Sequence, residues 1–310
     1  MAAATLLLPA RNRFAPAALP ADVARALGQA ERGTHAAGER AQLLRHFGIE
    51  PASAARSLPA AALTRQLDAG DAAGHGWLRA DPAHVVPDMH GARMMGHGDT
   101  LRPRAEDVAA LVPALQPLFA DSGLRLDAPV AARWYLQVPA DMQLPVFAIP
   151  EDLLGDDLFA HLPEGQAGRR WRALLTEAQV ILHAHRWNQQ RIARGDAPIN
   201  SLWFWGAGTL PAAVTTAHAQ VRSRDALLRA LAQAAGVQID GDQSVDALVD
   251  LRQLRSLQQL GEAAIRPLLA ALQRGELQRL VLDFEDGEQY LLRRNQRWRF
   301  WKKPRQLHEA

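Results

Sequence analysis

Histidine and aspartate side chains are concentrated in one segment between residues 81 and 99. Because imidazole and carboxylate groups bind hard and borderline metal ions, this segment is a candidate metal site. The candidate ligands are Asp81, His84, Asp88, His90, His97 and Asp99. Their spacing matches no established metal motif, and the prolines and glycines among them are typical of a hairpin with polar turns. We therefore favour solvated turn residues and predict no metal ligand in the chain.

A second set of polar side chains falls on a helix predicted over residues 166–194. Apolar residues recur there at helical spacing, and Gly195 supplies a C-terminal stop. On such a helix His185 and Asn188 are neighbours on the side that faces the core. These two residues and Arg191 are candidates for the lining of a ligand pocket. The alternative is that they are buried side chains hydrogen-bonded to the nearby backbone.

The stretch "INSLWFWGAGTLP" (Ile199–Pro211) follows this helix and predicts a buried strand that ends in a Gly-Ala-Gly turn. Backbone N–H groups of such a turn can approach a phosphate closely. No third glycine follows at dinucleotide spacing and no Gly-Lys-Ser/Thr is present, so the residues alone favour a packed strand end. The ligand-binding candidates in this stretch are Asn200, Trp203, Trp205, Gly206 and Gly208.

The segment "RRNQRWRFWKKPR" (Arg293–Arg305) combines seven basic residues with three aromatic ones and contains no acid. Aromatic rings can stack on bases while guanidinium groups contact phosphates, so this segment is a candidate nucleic-acid site. We predict a strand for "RWRFWK", with Trp298 and Phe300 on one face. The alternative, which we favour, is a solvated edge strand protected by its charge. The nucleic-acid candidates are Arg297, Arg299, Trp301, Lys302 and Lys303.

The composition of the chain limits the classes of protein that it can be. Its 310 residues suffice for two domains, or for one large domain with an insertion. Cysteine is absent, which excludes disulfides, zinc–thiolate sites and a cysteine nucleophile. No apolar run approaches the ~18 residues needed to span a bilayer, and the N-terminal apolar run is too short for a signal peptide. We therefore expect a cytoplasmic protein without membrane contact.

The order of predicted elements indicates an α/β protein. The run "ATLLLPARNRF" predicts a buried first strand, and alanine-rich helices follow over residues 20–70. Residues 76–145 predict a β-β-α-β-β unit, with a turn at Asp127-Ala128-Pro129. "RLVLDF", "EQYLLRR" and "RWRFWK" predict a C-terminal meander. We expect an α/β core formed by residues 1–75 and 160–310, and an inserted α+β domain at residues 76–159.

Several of these segments together resemble a known family, the bacterial RpfE-type regulatory proteins, related to archaeal-type cofactor-independent phosphoglycerate mutases. Weaker support comes from "WLRADPAHVVPD", "RWYLQVP" and "WRFWKKP". The specific matches are Trp171–Leu175, Glu177–Gln179, Leu182–His185, Asn188, Arg191, Gly195 and Asn200–Gly208. The resemblance implies a shortened three-layer sheet core of the alkaline phosphatase superfamily, with a small inserted domain.

The chain departs from the enzymes of that superfamily where their chemistry takes place. The resemblance implies two divalent metals and a hydroxyl nucleophile, with an Asp-Gly pair after the first strand and an Asp-His pair after a late strand. Here "TLLLPARNRF" carries no acid, and "RLVLDFEDGEQ" offers Asp283, Glu285 and Asp286 but no histidine. We therefore expect no catalytic residue and no cofactor.

The expected role is regulation or interaction, with an unidentified protein partner or a small anionic ligand. Two alternatives remain open. One is an active metal-dependent phosphoglycerate mutase or phosphatase that uses a rearranged site at Asp88, His90, His97 and Asp99. The other is nucleic-acid binding through the basic, aromatic C-terminal segment.

Overall fold

A computed structural model describes residues 2–52, 58–89, 91–139, 141–241 and 246–307 of the chain. The α-helices within these ranges are α1 Ala21–Gln29, α2 Glu39–His46, α3 Ala60–Ala69, α4 Ala105–Asp121, α5 Pro150–Leu153, α6 Gly165–Ala184, α7 Trp187–Ala193, α8 Ala226–Ala234, α9 Leu257–Gln259 and α10 Arg266–Arg274. A π-helical turn, Leu260–Ile265, joins α9 to α10.

Strands and helices are interspersed along the chain, which confirms the predicted α/β class. The strands are β1 Ala3–Leu8, β2 Glu31–Thr34, β3 Phe47–Glu50, β4 Gly76–Asp88, β5 Gly91–His97, β6 Arg125–Val130, β7 Arg133–Val138, β8 Ser201–Thr209, β9 Ala213–Thr216, β10 Gln220–Arg222, β11 Gln238–Ile239, β12 Ala247–Asp250, β13 Arg279–Phe284 and β14 Glu288–Arg293. None of the helices in these ranges is long and apolar enough to cross a membrane.

The chain forms two compact units. The first unit contains Met1–Glu50 and Ala213–Ala310, and the second contains Pro51–Ala212. These bounds differ from the inserted domain predicted at 76–159, because residues 51–75 and 160–212, which were predicted to belong to the core, fall in the second unit. The physical reason is strand pairing: β8 lies antiparallel to β4, from Ala83 opposite Ser201 to Gly76 opposite Thr209.

A largely parallel sheet forms the centre of the first unit, with the strand order β11-β10-β12-β1-β13-β14-β2. Strand β1 lies between β12 and β13 and is parallel to both. All six of its residues are buried, as is typical of a central parallel strand that is covered on both faces. The buried first strand predicted from the sequence is therefore confirmed.

The C-terminal meander is confirmed for two of its three predicted strands. "RLVLDF" and "EQYLLR" form the antiparallel pair β13 and β14. The prediction of the third strand, "RWRFWK", was wrong, because Arg294–Trp298 form a 3-10 helix. Strand β2 pairs with the other side of β14, from Glu31 opposite Leu291 to Thr34 opposite Glu288, and so takes the position that a third strand would need.

The second unit is built on an antiparallel sheet in the order β5-β4-β7-β6, with β8 paired to β4. Helices α4 and α6 pack against it around a core that includes Trp134, Trp171 and Phe204. The turn predicted at residues 127–129 lies further along, since β6 continues to Val130 and β7 begins at Arg133.

The helix predicted over residues 166–194 is two helices. Helix α6 ends at Ala184, and α7 begins at Trp187. His185 has an extended backbone at the break, with φ −73° and ψ 120°. Its Nδ1 lies 3.2 Å from the backbone nitrogen of Trp187 and accepts that hydrogen bond. The break turns α7 relative to α6, so the single continuous face predicted from the apolar spacing does not form.

Candidate functional site

Two aspartates flank the central strand at the carboxyl edge of the parallel sheet in the first unit. Leu7 of β1 pairs in register with Asp250 of β12 on one side and with Asp283 of β13 on the other. Residues in register on parallel strands point to the same face, so both carboxylates lie beside the buried Leu7. Ligands of open α/β sheets bind outside the carboxyl ends of the strands. This edge is therefore the first place to look for a functional site.

Asp250 is held by an arginine and a serine. Arg252 donates from Nε to Oδ1 at 2.9 Å and from Nη2 to Oδ2 at 3.0 Å, and Ser223 Oγ donates to Oδ2 at 2.6 Å. Burial alone would raise the pKa of Asp250, but these hydrogen bonds outweigh it and lower the pKa. Arg252 also binds a second carboxylate, because its Nη1 donates to Glu39 of α2.

Asp283 is held by an arginine and a histidine at the end of α2. Arg45 donates from Nη2 to Oδ1 at 2.7 Å and from Nε to Oδ2 at 3.1 Å. His46 Nε2 lies 2.6 Å from the same Oδ2 and donates to it. Burial would raise the pKa of Asp283, but the contacts with His46 and Arg45 lower it, so the carboxylate stays charged.

A second histidine completes this chain of contacts. His46 Nδ1 lies 3.1 Å from Nε2 of His218, and the two rings are 5.2 Å apart between centroids. Burial, followed by the neighbouring His46 and Arg279, lowers the pKa of His218 to about 4. His218 is therefore neutral at physiological pH. Its contact with His46 extends the chain of contacts that begins at Asp283.

Helix α2 closes the edge over the central strand. The fully buried Gln42 donates from Nε2 to the carbonyl oxygen of Leu8 at 3.0 Å and to that of Asp283 at 2.7 Å. Since Glu39, Arg45 and His46 belong to the same helix, α2 binds Asp283 directly and is connected to Asp250 through Arg252. The edge is a closed polar layer in which the protein's own cations neutralise its carboxylates.

The donor set at this edge does not fit the two divalent metals that the family resemblance implies. Each aspartate oxygen already accepts a hydrogen bond from an arginine, a histidine or a serine. Across the described ranges, histidine and carboxylate side chains form no group of three that could hold a metal ion. The guanidinium groups of Arg45 and Arg252 lie where metal cations would have to bind the carboxylates.

The glycine turn proposed for anion binding packs against α3 in the second unit. Gly206 has φ +67°, and a Cβ there would lie 2.9 Å from the Cβ of Ala60. A Cβ on Gly208 would meet the ring of Pro59 at 2.5 Å. Both glycines therefore permit a close approach of the strand to the start of α3. This close approach accounts for the two glycines without a bound phosphate.

The polar groups of the same strand are engaged inside the unit. Asn200 exchanges two hydrogen bonds of 2.8 Å with the backbone of Val85, and Trp203 Nε1 donates to the carbonyl oxygen of Ala148 at 2.9 Å. Trp205 Nε1 donates to Asp81 at 2.7 Å. These contacts join β8 to its neighbours. A further role of the three residues in ligand binding stays a prediction.

Asn188 joins the end of α6 to the start of β8. Its Nδ2 donates to the carbonyl oxygens of Leu182 and Ile199 at 2.8 and 2.9 Å, and its Oδ1 accepts from Ile199 N at 2.9 Å. All of its hydrogen-bonding capacity on these atoms is directed at backbone. Asn188 is thus a buried side chain hydrogen-bonded to the nearby backbone. This is the alternative that the sequence left open.

Arg191 lies in a buried ion-pair cluster with no exposed surface. It pairs with the equally buried Asp107, and its Nε and Nη2 donate to the carbonyl oxygens of Ala197 and Leu101 at 2.9 and 2.7 Å. Arg194 also donates to Asp107, at 2.7 Å. The cluster fastens α4 to α7, and it leaves no donor of Arg191 directed to a pocket.

The histidine and aspartate residues between 81 and 99 do not converge. Strand register places Asp88 opposite Gly91 and Ala83 opposite His97, at opposite ends of the β4–β5 hairpin. Five residues of extended chain separate these ends by roughly 17 Å. A rearranged metal site that uses both Asp88 and His97 cannot form in this hairpin, and His90 lies outside the described residues.

Individual members of that set have other partners. Asp81 is buried and forms a two-pronged ion pair with Arg79, with both N–O distances 2.8 Å. Asp88 is paired with Arg93 at 2.6 Å on the surface. Burial lowers the pKa of His84 and of His97, which keeps both rings neutral. The prediction of solvated turn residues was therefore wrong for Asp81.

The C-terminal segment exposes all three of its aromatic rings. Trp298, Phe300 and Trp301 are 65%, 83% and 66% exposed, so none of them is the core-facing residue that an alternating strand would require. Arg297 Cζ lies 4.8 Å from the Trp298 ring centroid, in a cation–π contact. Arg299 is bound to the first unit through the carbonyl oxygen of Gln29 at 3.2 Å.

Sequence reasoning missed Arg45, His46, His218, Asp250 and Arg252. One signal was available, because "ALVDLR" is an apolar strand followed by an acid and a base, the pattern of a strand with a polar carboxyl end. Asp283 was noted only in the comparison with the Asp-His pair that the resemblance implies after a late strand. No comparable signal marks Arg45 and His46, since basic residues in the last turn of a helix are ordinary.

Comparison with known proteins finds a similarity in one part of the chain. No family model matches. A stretch of 62 residues, 20% of this chain, is 36% identical to a probable 2,3-bisphosphoglycerate-independent phosphoglycerate mutase of Geobacter sulfurreducens, of which it covers 16%. A stretch of the same length is 36% identical to the corresponding mutase of Methanosarcina mazei, again over 20% of this chain and 16% of the relative.

Among solved structures, a cofactor-independent phosphoglycerate mutase from Thermoplasma acidophilum aligns with 94% of this chain and 89% of its own, at a TM-score of 0.41 and 17% identity. The 62-residue stretch described above spans less than a fifth of the length of the curated mutases that it matches. Over that stretch the chain is similar to phosphoglycerate mutases that need no bisphosphoglycerate cofactor, which confirms the coarser part of the predicted resemblance.

Proposed function

We propose that this chain is a phosphoglycerate-mutase-like protein that does not perform metal-dependent phosphoryl transfer and that acts instead in regulation or interaction. In this role it binds a small anionic ligand in the cytoplasm. The resemblance of residues 171–211 to RpfE-type regulatory proteins supports the regulatory part. The similarity to phosphoglycerate mutases supports descent from proteins that handle phosphorylated substrates.

The carboxyl edge of the parallel sheet carries the first part of this proposal. Its two aspartates are neutralised by Arg45 and Arg252, and His46 adds a hydrogen bond to Asp283. Metal ions in phosphoryl transfer neutralise charge that develops in the transition state. An arginine already paired with a buried carboxylate has its charge compensated, so it offers little of that stabilisation.

A metal and activity assay tests this part. The purified chain is incubated with Mn²⁺, desalted and analysed for bound metal, and turnover of 3-phosphoglycerate is then measured with Mn²⁺ present. We expect less than one tenth of an equivalent of metal and the same background turnover in the wild type and in Asp283→Asn. Stoichiometric Mn²⁺ together with turnover that Asp283→Asn abolishes would show an enzyme and overturn the proposal.

An anion screen tests the binding part separately. Thermal unfolding is followed with 3-phosphoglycerate, inorganic phosphate, sulfate, and mono- and dinucleotides at matched ionic strength. A ligand at a hundred times its Kd stabilises the folded state by about 2.7 kcal/mol, which is a shift of several degrees. We expect such a shift with at least one phosphorylated compound. If no anion shifts the transition, the binding role is wrong.

Nucleic-acid binding through the C-terminal segment is a second candidate, favoured by the exposure of Trp298, Phe300 and Trp301. Bases can stack on such rings while Arg297, Lys302 and Lys303 contact phosphates. Fluorescence anisotropy with a labelled ten-nucleotide single strand tests it. Binding by phosphate contacts must weaken as salt is raised. Absent or salt-independent binding would remove this candidate.

A further inference from the structure

The first unit contains a cleft. It has a volume of about 390 Å³ and lies between α1, α10 and the chain that follows β14. Its volume falls within the range of about 300–1,000 Å³ that is typical of small-molecule sites. It is remote in sequence from the glycine turn and the helix residues predicted to bind a ligand.

The lining of the cleft is strongly basic. It includes five arginines against a single acid, Asp22, and those arginines are Arg25, Arg266, Arg293, Arg294 and Arg297. Arg266 donates to both oxygens of Asp22 at 2.8 and 2.9 Å, a contact that lowers the pKa of Asp22 to about 2. Asp22 is therefore neutralised by one arginine of the five.

Three cleft arginines have no carboxylate partner. Arg293 pairs with Glu31 at 2.8 Å, whereas Arg25, Arg294 and Arg297 form no ion pair with any residue in the described ranges. All three side chains are exposed. Guanidinium groups match phosphate and carboxylate oxygens with two parallel hydrogen bonds, so three of them around one cleft favour an anionic ligand.

An amide donor adds a second, independent observation. Gln296 lines the cleft and is only 4% exposed. Its Oε1 accepts from the backbone nitrogen of Arg293 at 2.8 Å, but its Nε2 has no partner in the part of the chain described. An unpaired buried donor is unfavourable, because its hydrogen bond to water is lost on burial and is not replaced. A ligand oxygen would supply the missing acceptor.

The cleft also has an apolar part. Leu269, Leu272 and Leu292 contribute to its lining beside the arginines. Inorganic phosphate alone would leave this surface unused, since burying apolar area is what adds affinity there. The lining as a whole suits an anionic head attached to a small organic body.

The backbone of the C-terminal segment is held in place along α1, and this fixes the arginines. The backbone nitrogen of Arg305 donates to the carbonyl oxygen of Ala24 at 2.8 Å. At Gly28 the carbonyl oxygen of Lys303 comes so close that a Cβ would overlap it. Arg297 is further oriented by its contact with the Trp298 ring. The cleft is therefore formed before a ligand arrives, which reduces the entropic cost of binding.

We propose that this cleft binds the phosphate group of a small phosphomonoester through Arg25, Arg294, Arg297 and the Nε2 of Gln296. This names the site and the ligand class of the anion-binding role proposed above, and it rests on that role alone. It does not depend on whether the chain transfers phosphoryl groups.

Titration calorimetry of the full chain tests the assignment with three probes: 3-phosphoglycerate, inorganic phosphate and a ten-nucleotide oligothymidylate. We expect saturable 1:1 binding of 3-phosphoglycerate that is tighter than that of phosphate. Arg294→Ala/Arg297→Ala should weaken it at least tenfold. The control Arg169→Ala/Arg186→Ala removes two exposed arginines of the second unit, the same change of net charge, and should alter affinity less than twofold.

A substitution at Gln296 distinguishes binding in the cleft from nonspecific attraction by the positive charge of the chain. Gln296→Glu keeps an acceptor for Arg293 N, but it replaces the free donor by a carboxylate oxygen. It should weaken phosphomonoester binding at least tenfold without unfolding the chain, as judged by an unchanged far-UV circular dichroism spectrum.

Each other outcome contradicts the proposal in a distinguishable way. If no probe binds saturably, both the cleft and the anion-binding role are wrong. If binding persists in Arg294→Ala/Arg297→Ala, the role stands but the site lies elsewhere. If only the oligonucleotide binds and the double variant loses it, the phosphate comes from a polymer and the small-molecule assignment is overturned.

Discussion

Two arginine-rich regions of the first unit differ in how their charges are balanced. At the carboxyl edge, Arg45 and Arg252 each hold an aspartate that is buried or nearly so. In the cleft beside α1, Arg294 and Arg297 are exposed and have no carboxylate partner in the described ranges. Arginine side chains therefore close the carboxyl edge through ion pairs. In the cleft their charge is left available to an anion. Whether the arginines of a region have carboxylate partners decides whether they can bind an anion. An excess of arginine alone does not indicate function.

The two regions also differ in what a substitution should cost. Removing one member of a buried ion pair leaves the other charge uncompensated in a low dielectric, which costs about 3–5 kcal/mol. Removing an exposed, unpaired arginine costs little stability and changes only the local potential. Four predictions test this contrast.

The largest effect is expected at the carboxyl edge. Arg252→Met should lower the free energy of unfolding by about 3–5 kcal/mol, because Asp250 and Glu39 lose their common partner. Arg294→Met, the matched change in the cleft, should stay within about 0.5 kcal/mol. Urea denaturation of both variants measures the two values. Equal effects would show that the contrast between the regions is wrong.

The second prediction concerns pH and His218. Its pKa is about 4 in the folded chain and about 6.5 when unfolded, so between these values only the unfolded chain binds the proton. Stability should therefore fall as the pH drops from 6.5 to 4, by about 3 kcal/mol in total.

His218→Gln should remove this part of the pH dependence. The aspartates do not interfere in the same window, because the lowered pKa values of Asp250 and Asp283 move their losses to lower pH. Urea midpoints at half-unit steps of pH measure the slope. An identical slope in wild type and variant would refute a buried neutral His218.

An intermediate effect is expected where the C-terminal segment crosses α1. Gly28→Ala should cost about 1–3 kcal/mol, because the added Cβ overlaps the carbonyl oxygen of Lys303. The displaced segment should be cleaved faster by trypsin, and cleft binding should weaken. Lys303→Ala keeps that carbonyl group and serves as the control. Unchanged cleavage in Gly28→Ala would mean that this contact does not hold the segment.

The smallest effect is expected at the surface of the cleft. Trp298→Leu removes the ring that Arg297 contacts and should change the free energy of unfolding by less than about 0.5 kcal/mol. Affinity for a phosphomonoester should fall only about two- to fivefold, since a cation–π contact at an exposed site contributes roughly 0.5–1 kcal/mol. A loss as large as that in Arg294→Ala/Arg297→Ala would make Trp298 part of the site itself.

The sequence predicted elements whose signal is local. The apolar run of β1 and the "RLVLDF" strand were found because a central parallel strand needs nearly every residue to be apolar. The single helix of the unit predicted at residues 76–145 was found as well, and it is α4, Ala105–Asp121. Elements that depend on a pairing partner were misplaced, as with the predicted third C-terminal strand.

The predicted ligand site shows the same limit. Asn188, Arg191 and Trp205 are polar or aromatic residues near a glycine turn, which by residue type suits a pocket. In the structure Asn188 donates to the carbonyl oxygen of Ile199, Arg191 pairs with Asp107, and Trp205 donates to Asp81. Hydrogen-bond partners more than ten residues away cannot be read from local spacing, so residue type could not separate pocket from core.

By itself the sequence determined the α/β class, the buried central strand, the lack of cysteine chemistry and the likeness to cofactor-independent phosphoglycerate mutases. Only the tertiary structure decided which charges meet. Asp250 and Asp283 are neutralised because strand register sets them on either side of Leu7, under one helix. Arg294 and Arg297 have no such partner in the described ranges, because the C-terminal segment packs along α1 and adds no strand to the sheet. Ion pairing depends on distances across the fold, and those are set by packing that no local pattern encodes.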